Sequence, residues 1–479
     1  MSTLPSSSDT PSARLAPVLE RIDADLPGAL SRLEGLLRIP SISTDPAFAG
    51  ACREAADWLV ADLATLGARA EARPTGGHPM VVAHVDNSGE NPAQAPHLLF
   101  YGHYDVQPAD PLELWDGDPF EPAVIEGPRG PAIRARGAND DKGQLMTFVE
   151  AARAWIAVHG ALPARVTFLF EGEEECGSPS LLPFLDAHGE ELRADLALVC
   201  DTDMFDPQTP AITTQLRGLV GEELHVRGPS RDLHSGSFGG AAANPVRALA
   251  KALAGLHDER GAVTLRGFYD GVDELPDALR AQWEALPFDA GAFLGGVGLS
   301  VPAGEAGRSV LEMLWSRPTC EINGIWGGYT GAGFKTVLPA EAHAKVSFRL
   351  VGRQDPDAVR AAFRAQIRAA LPADCDVSFT AHGGAPATVM STDAPAFERA
   401  RAALSAEWPR PAAFIGSGGS IPIAGLFRER LDMDTLLIGF RNEDDAMHSP
   451  NERYDVESFH KGMRSWARIL DALSHPVRG

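Results

Sequence analysis

Cysteine is sparse and unpatterned in this chain. Cys52, Cys176, Cys200, Cys320 and Cys375 are scattered, odd in number and form no C-x-x-C. That excludes a thiolate zinc site and a disulfide scaffold, and it fits a reducing compartment. Long hydrophobic runs are missing too: none approaches the roughly 20 residues needed to span a bilayer. The opening MSTLPSSSDTPSARL is polar and lacks an apolar signal core, so a cytoplasmic protein with a frayed N-terminus is expected. Positive charge is in deficit. Basic residues number 42 against 65 acidic ones, a formal charge of −23, which disfavours nucleic acid and anionic membrane as partners. No H-E-x-x-H occurs, so the zincin signature is absent. The glycines of 327–333 are spaced too loosely for a nucleotide fingerprint.

What is present is periodicity. A chain of 479 residues is too long for one ordinary core, so two domains are expected. Helical spacing runs through 11–38, interrupted near Pro27, and through 51–68. Segments 79–85, 97–102, 164–170 and 196–200 read as strands, and 140–158 as a loop entering a helix. The apolar stripe of that helix is Leu145, Phe148, Val149, Ala152 and Ile156. Strands that are apolar throughout and alternate with helices argue for an α/β sheet buried on both faces. Residues 107–138 are rich in Pro, Gly and acid and read as a long functional loop.

The pattern then changes. A strand near 213–226, a helix at 244–256, strands at 320–328 and 342–351, a helix at 356–370 and a strand at 375–381 give the order βαββαβ. That is a ferredoxin-like unit, with 258–318 as an irregular insertion. From about 388 the α/β character returns, with 435–440 as a buried strand and 456–473 as a closing helix. The second domain is therefore expected to be inserted into the first.

Chemistry gathers at the strand ends. The run HLLFYG (97–102) leads into His103 and Asp105, which leave a strand on one side. An imidazole and a carboxylate so placed suit a metal ligand and its orienting partner. By itself His-x-Asp is an ordinary polar strand end. Four more stretches end alike: Asp140 and Asp141 before a helix, Glu173, Glu174 and Glu175 after a strand, Asp201 at the end of LVC, and His448 after LLIGF. Open α/β sheets build sites beyond the carboxyl ends of their strands. Carboxylates crowded there repel one another, and two divalent cations offset that repulsion. Nitrogen and oxygen donors without thiolate suit zinc, with manganese or cobalt as alternatives.

These motifs resemble the M20 family of co-catalytic metallopeptidases, in its carnosinase-like, cytosolic non-specific dipeptidase-like branch. The resemblance covers nearly the whole chain and rests on GHYDVQP (102–108), RGANDDKG (136–143), FEGEEECGS (170–178), DLHSGSFGG (232–240), KTVLP (335–339), SFRLV (347–351), GGSIP (418–422) and HSPNE (448–452). It implies an α/β fold, a mixed and largely parallel sheet sandwiched by helices that carries a dizinc site. The catalytic domain would be 1–212 with 388–479, and 213–387 an inserted α+β lid through which the protein forms a homodimer. The implied reaction is hydrolysis of the peptide bond of dipeptides or similar small peptides by a metal-bridging water.

Residue by residue, the resemblance implies His103 and Asp201 on one metal, Glu175 and His448 on the other, and Asp140 bridging, with a cis peptide after it. Glu174 would be the general base, leaving Glu173 as an exposed neighbour. Asp105 would hold the His103 ring. His234 would stabilise the oxyanion in a neighbouring subunit's site, and Arg349 would grip the substrate carboxylate. Thr336 and Ser420 would contact substrate. Two positions depart from the pattern. Ser417 stands where mammalian-type members have an acid thought to meet the substrate amine, and Asn323 replaces a His of some carnosinases. These departures keep an N-acyl amino acid amidohydrolase as the alternative, beside a non-catalytic metal-binding relative.

Overall fold

The computed structural model describes residues 13–86, 95–390, 392–419 and 422–475. The chain divides into two compact units. One comprises Met1–Thr214, Met390–Phe414 and Ile423–Gly479, and the other Gln215–Val389 and Ile415–Pro422. Among the described residues no helix is long and apolar enough to cross a membrane.

The first unit is built on a mixed sheet. Four parallel strands form its centre, in the order Arg165–Glu171, His97–His103, Leu196–Val199 and Thr435–Leu437. Met80–Val85 and then Arg69–Arg73 extend one side antiparallel, and Ala211–Leu216 runs antiparallel to Thr435–Leu437 on the other. The central strands are apolar at every position because helices cover them. Phe100 and Phe168, one on each of two neighbouring strands, are completely buried. Phe100 stacks on Phe148 at 3.8 Å, and Trp466 meets both edge-on at 5.7 and 5.3 Å. Phe148 belongs to helix Lys142–His159 and Trp466 to helix Val456–Ala472, so this aromatic cluster ties the sheet to both.

Helix Lys142–His159 carries more than an apolar stripe. Every residue from Lys142 to Ala152 is buried, polar ones included, while Ile156 is only half-buried. The helix packs against the His97–His103 strand, helix Val456–Ala472 and both N-terminal helices, Leu15–Ala24 and Leu26–Leu37.

Three expectations are corrected. Residues 107–138 are not one loop: Ala123–Gly127 and Gly130–Arg134 form a hairpin, and Arg453–Asp455 adds a third antiparallel strand. The two hairpin strands are largely half-exposed and flanked by Pro and Gly, and the third strand lies far along the chain, so local patterning did not reveal the sheet. The strand near 213–226 is two strands, Ala211–Leu216 and Gly218–Arg227, parted at Arg217 and belonging to different sheets. The stretch 258–318 includes three short helices, Asp277–Glu284, Ala290–Gly295 and Val310–Trp315.

The second unit holds a four-stranded antiparallel sheet in the order Thr319–Gly327, Glu341–Leu350, Gly218–Arg227 and Asp376–Ala385. Helices Pro245–Ala254 and Pro356–Ala370 cover one face. Val220, Leu224, Val346, Phe348 and Leu350 bury there with Leu249, Leu253, Phe363 and Ile367. Strand residues alternate between faces, so Glu341, His343, Lys345, Ser347 and Arg349 line the open face.

Candidate metal centre

The centre grows from the end of the His97–His103 strand. His103 is fully buried. Its Nδ1 lies 3.1 Å from the carbonyl oxygen of Asp105 and 3.4 Å from that residue's Oδ1. A carbonyl can only accept, so Nδ1 carries the proton and Nε2 presents a lone pair. Nε2 is buried and makes no hydrogen bond, with Asp140 Oδ1 at 3.3 Å and Asp201 Oδ2 at 3.8 Å. The Asp105 carboxylate also accepts the backbone N–H groups of Glu174 at 3.2 Å and Glu175 at 3.0 Å. Asp105 thus orients the imidazole through its backbone carbonyl and fixes the short turn Glu174–Cys176 through its carboxylate.

Asp140 stands just ahead of helix Lys142–His159, joined to Asp141 by a cis peptide. Its Oδ2 lies 2.8 Å from His448 Nε2. Glu175 Oε2 is 3.3 Å from the same nitrogen and accepts a hydrogen bond from Gln107 at 2.8 Å. Glu175 Oε1 is buried without a partner. His448 sits in the left-handed region at φ +56°, a strained backbone of the kind that gathers at functional sites. Two donor groups result, His103–Asp140–Asp201 and Asp140–Glu175–His448, each with its ligand atoms within 4.8 Å of one another. They share Asp140.

The electrostatics match a cation site. Burial, reinforced by the charges of Asp201 and Glu175 against the pull of His103, pushes Glu174 up to about 8. Burial likewise pushes Asp201 up to about 6, opposed by Arg441. Asp140 goes the other way: burial is outweighed by the two imidazoles and Arg441, which hold it well below the usual range. Asp140 and Glu175 raise His448 to about 10. A bare buried imidazole nitrogen, an orphan carboxylate oxygen and a carboxylate facing two imidazoles are a donor set that fits divalent ions.

Several supporting residues escaped the sequence. Glu452 is fully buried. Its carboxylate accepts from Arg136 Nη1 at 2.7 Å and from the N–H groups of Gly137, Asn139 and Asp140 at 3.0, 2.9 and 3.2 Å. It thereby shapes the loop that delivers Asp140. The acid in HSPNE was the available signal, but nothing local names its partners. Arg441 reaches Asp201 Oδ1 at 2.9 Å and also pairs with Asp203, so one Asp201 oxygen is committed and the other faces His103. Glu173 is a correction. Instead of being exposed it is 4% accessible, because its two oxygens accept from His78 N and Ser180 N, each at 3.1 Å.

The remaining predicted residues fall in the second unit. His234 is exposed, and its Nδ1 accepts from Gly236 N at 3.0 Å and Ser237 N at 3.3 Å. The ring proton is therefore on Nε2. Thr336 adjoins it: its carbonyl accepts from Ser235 N at 3.1 Å. Arg349 is half-buried on the open sheet face, and the Ser417 hydroxyl accepts from Gly419 N at 3.1 Å. Asn323 sits at a bulge in the Thr319–Gly327 strand. Ser420 lies outside the described residues. On the open face His225, Glu341 and His343 form a third group within metal-binding reach.

Residues 99–472 match the family described as peptidase family M20/M25/M40. The chain is 30% identical over 473 residues to a Cys-Gly metallodipeptidase of Candida albicans, covering 95% of this chain and 96% of that protein. Among solved structures, human carnosine dipeptidase 1 superposes with a TM-score of 0.75 at 26% identity, over 97% of this chain and 100% of the other. An M20 family metallo-carboxypeptidase from Sulfolobus solfataricus superposes with a TM-score of 0.76 at 31% identity, over 93% and 99%.

Proposed function

Because the chain belongs to peptidase family M20/M25/M40, we propose that it hydrolyses the peptide bond of dipeptides with the help of two divalent metal ions. The observation that carries this reading is the pair of donor groups sharing Asp140, with Glu174 on the adjoining turn. Zinc suits these ligands best, with manganese and cobalt as alternatives. His103 and Asp201 would hold one ion, Glu175 and His448 the other, and Asp140 would bridge. When bound, the ions supply Lewis-acid polarisation of the amide carbonyl and a lowered pKa for the attacking water.

The chain's own groups do the proton work. Glu174, held by Asp105 through its backbone, takes the proton of the attacking water and returns it to the leaving amine. His234, with its proton on Nε2, donates to the oxyanion of a second copy's site. Arg349 pairs with the substrate carboxylate, and Thr336 and Ser420 contact substrate. The second unit then serves as a lid and as the surface of a homodimer. Support for that comes from its edge strand Thr319–Gly327, which exposes Ile322, Ile325 and Trp326 at 45, 50 and 43%. Unpaired apolar edges of this kind are normally covered. All five cysteines are free, in keeping with a cytoplasmic setting.

The test is hydrolysis by chelated and reconstituted protein of a free dipeptide, its N-acetyl form and a tripeptide. Chelation should abolish activity, and zinc, manganese or cobalt should restore it on the free dipeptide. Full activity without metal ends the two-metal reading. Because Ser417 offers no carboxylate to a substrate amine, the second reading is an N-acyl amino acid amidohydrolase, and a preference for the N-acetyl form establishes it.

A further inference from the structure

At one end of its sheet the second unit carries two arginines with no ion-pair partner among the described residues. Arg217 lies one residue ahead of the Gly218–Arg227 strand. Register pairs Gly218 with Leu350 and Leu219 with Arg349. Arg217 thus stands two residues from Leu219, diagonal to Arg349 along the backbone. The intervening Gly218 and Leu350 face the helices. The backbone register thus sets the two arginines side by side at the end of this strand pair, and Arg349 is close enough to repel Arg217.

Arg217 is also held in place. Its backbone N–H donates to Gly419 O at 3.1 Å, and its Nε lies 3.4 Å from Gly418 O. A side chain at 418 would put its Cβ 2.9 Å from Arg217 Nη2, so glycine there leaves the guanidinium its room. The turn offers carbonyl oxygens and the Ser417 hydroxyl but no charge. Burial, with repulsion from Arg349, lowers Arg217 to about 10, and Glu321 only partly opposes this. Like charges held together away from bulk water are unfavourable unless an anion joins them. Arginine is the side chain whose planar fork meets carboxylates in two-point contact.

We propose that Arg217 and Arg349 form a two-arginine anion site that selects substrates whose carboxyl-terminal residue is itself acidic. Arg349 takes the terminal carboxylate and Arg217 the side-chain carboxylate, so the preferred dipeptides end in Asp or Glu. This rests on the dipeptidase reading and adds a specificity that reading does not contain.

The experiment compares Ala-Glu with its near-isostere Ala-Gln on metal-loaded wild type, Arg217→Met and Arg217→Lys. A charge-assisted contact should favour Ala-Glu in kcat/KM by about ten- to a hundredfold in wild type. Arg217→Met should lose about that factor on Ala-Glu and far less on Ala-Gln, with Arg217→Lys between. Equal rates on the two peptides in wild type overturn the proposal, and so does an equal loss on both in Arg217→Met. Arg217→Lys keeps the charge and guards against a folding defect. If wild type cleaves neither peptide, the dipeptidase reading has failed, and equilibrium binding of glutarate against butyrate still decides the anion site. Tighter glutarate binding that Arg217→Met removes supports it, and indifference to the second carboxylate overturns it.

Discussion

Two adjacent glutamates on one short turn are assigned different tasks, and that assignment is testable one residue at a time. Glu175 shares a donor group with Asp140 and His448, whereas Glu174 belongs to neither donor group. Glu174→Gln should therefore cost about a hundred- to ten-thousandfold in turnover while metal analysis still finds two ions per chain. Glu175→Gln should lower metal content instead, and the reverse pattern would exchange the two roles. Arg349→Ala should damage hydrolysis of free dipeptides about ten- to a hundredfold more than hydrolysis of their C-terminal amides. Equal damage would make it a structural arginine. The ligand-type residues were legible because each ends a strand or opens a helix. Glu452, Arg441 and Glu173 were not, because their partners are backbone groups, acids or, for Glu452, Arg136, brought together only by the fold.

Elements with continuous apolar runs were legible for the same reason that they are central: a strand covered on both faces has no polar position to confuse it. The Ala123–Gly127 hairpin is only partly buried and its third strand is distant, so its pattern was too weak to read. Arg217, where one apparent strand becomes two, shows no sequence sign of the change of sheet. The His97–His103 strand itself makes a pH prediction. At its start, His97 bonds Thr167 Oγ1 at 2.8 Å, and burial with the nearby charge of Arg165 lowers it to about 4. The unfolded chain binds that proton near 6.5, so the folded state loses stability as pH falls from about 6.5 toward 4 and keeps it above. The loss amounts to ~2 kcal/mol once partial solvent contact is allowed for. Denaturant melts of His97→Gln and wild type across that window should converge by this amount in acid. Parallel curves would show that the histidine is not the acid-sensitive group.

At the scale of the whole molecule, the proposed homodimer has a quantitative signature. If His234 serves the other copy's site, a Glu174→Gln chain and a His234→Ala chain fail for different reasons. An oxyanion donor is worth about a hundred- to a thousandfold, so each homodimer should be nearly inactive. In a mixed dimer the His234→Ala chain keeps its own Glu174 and receives His234 from its neighbour, making one of two sites whole. Random mixing should restore roughly a quarter of wild-type activity. Co-expression with distinct tags measures this, and activity no higher than the average of the two homodimers would confine His234 to its own chain. Glu452 has a further consequence for the whole molecule. Its grip on Arg136 and the backbone amides of Gly137, Asn139 and Asp140 uses no metal-ligating side-chain atom, so the Asp140 loop is shaped by bonds that metal uptake does not make or break. Loading the centre should then expose or bury little surface, and its heat-capacity change should be close to zero, unlike metallo-domains whose folding is driven by the ion. In Glu452→Gln the same titration should acquire a negative heat-capacity change, as the ions are made to organise a loop that the carboxylate once held ready.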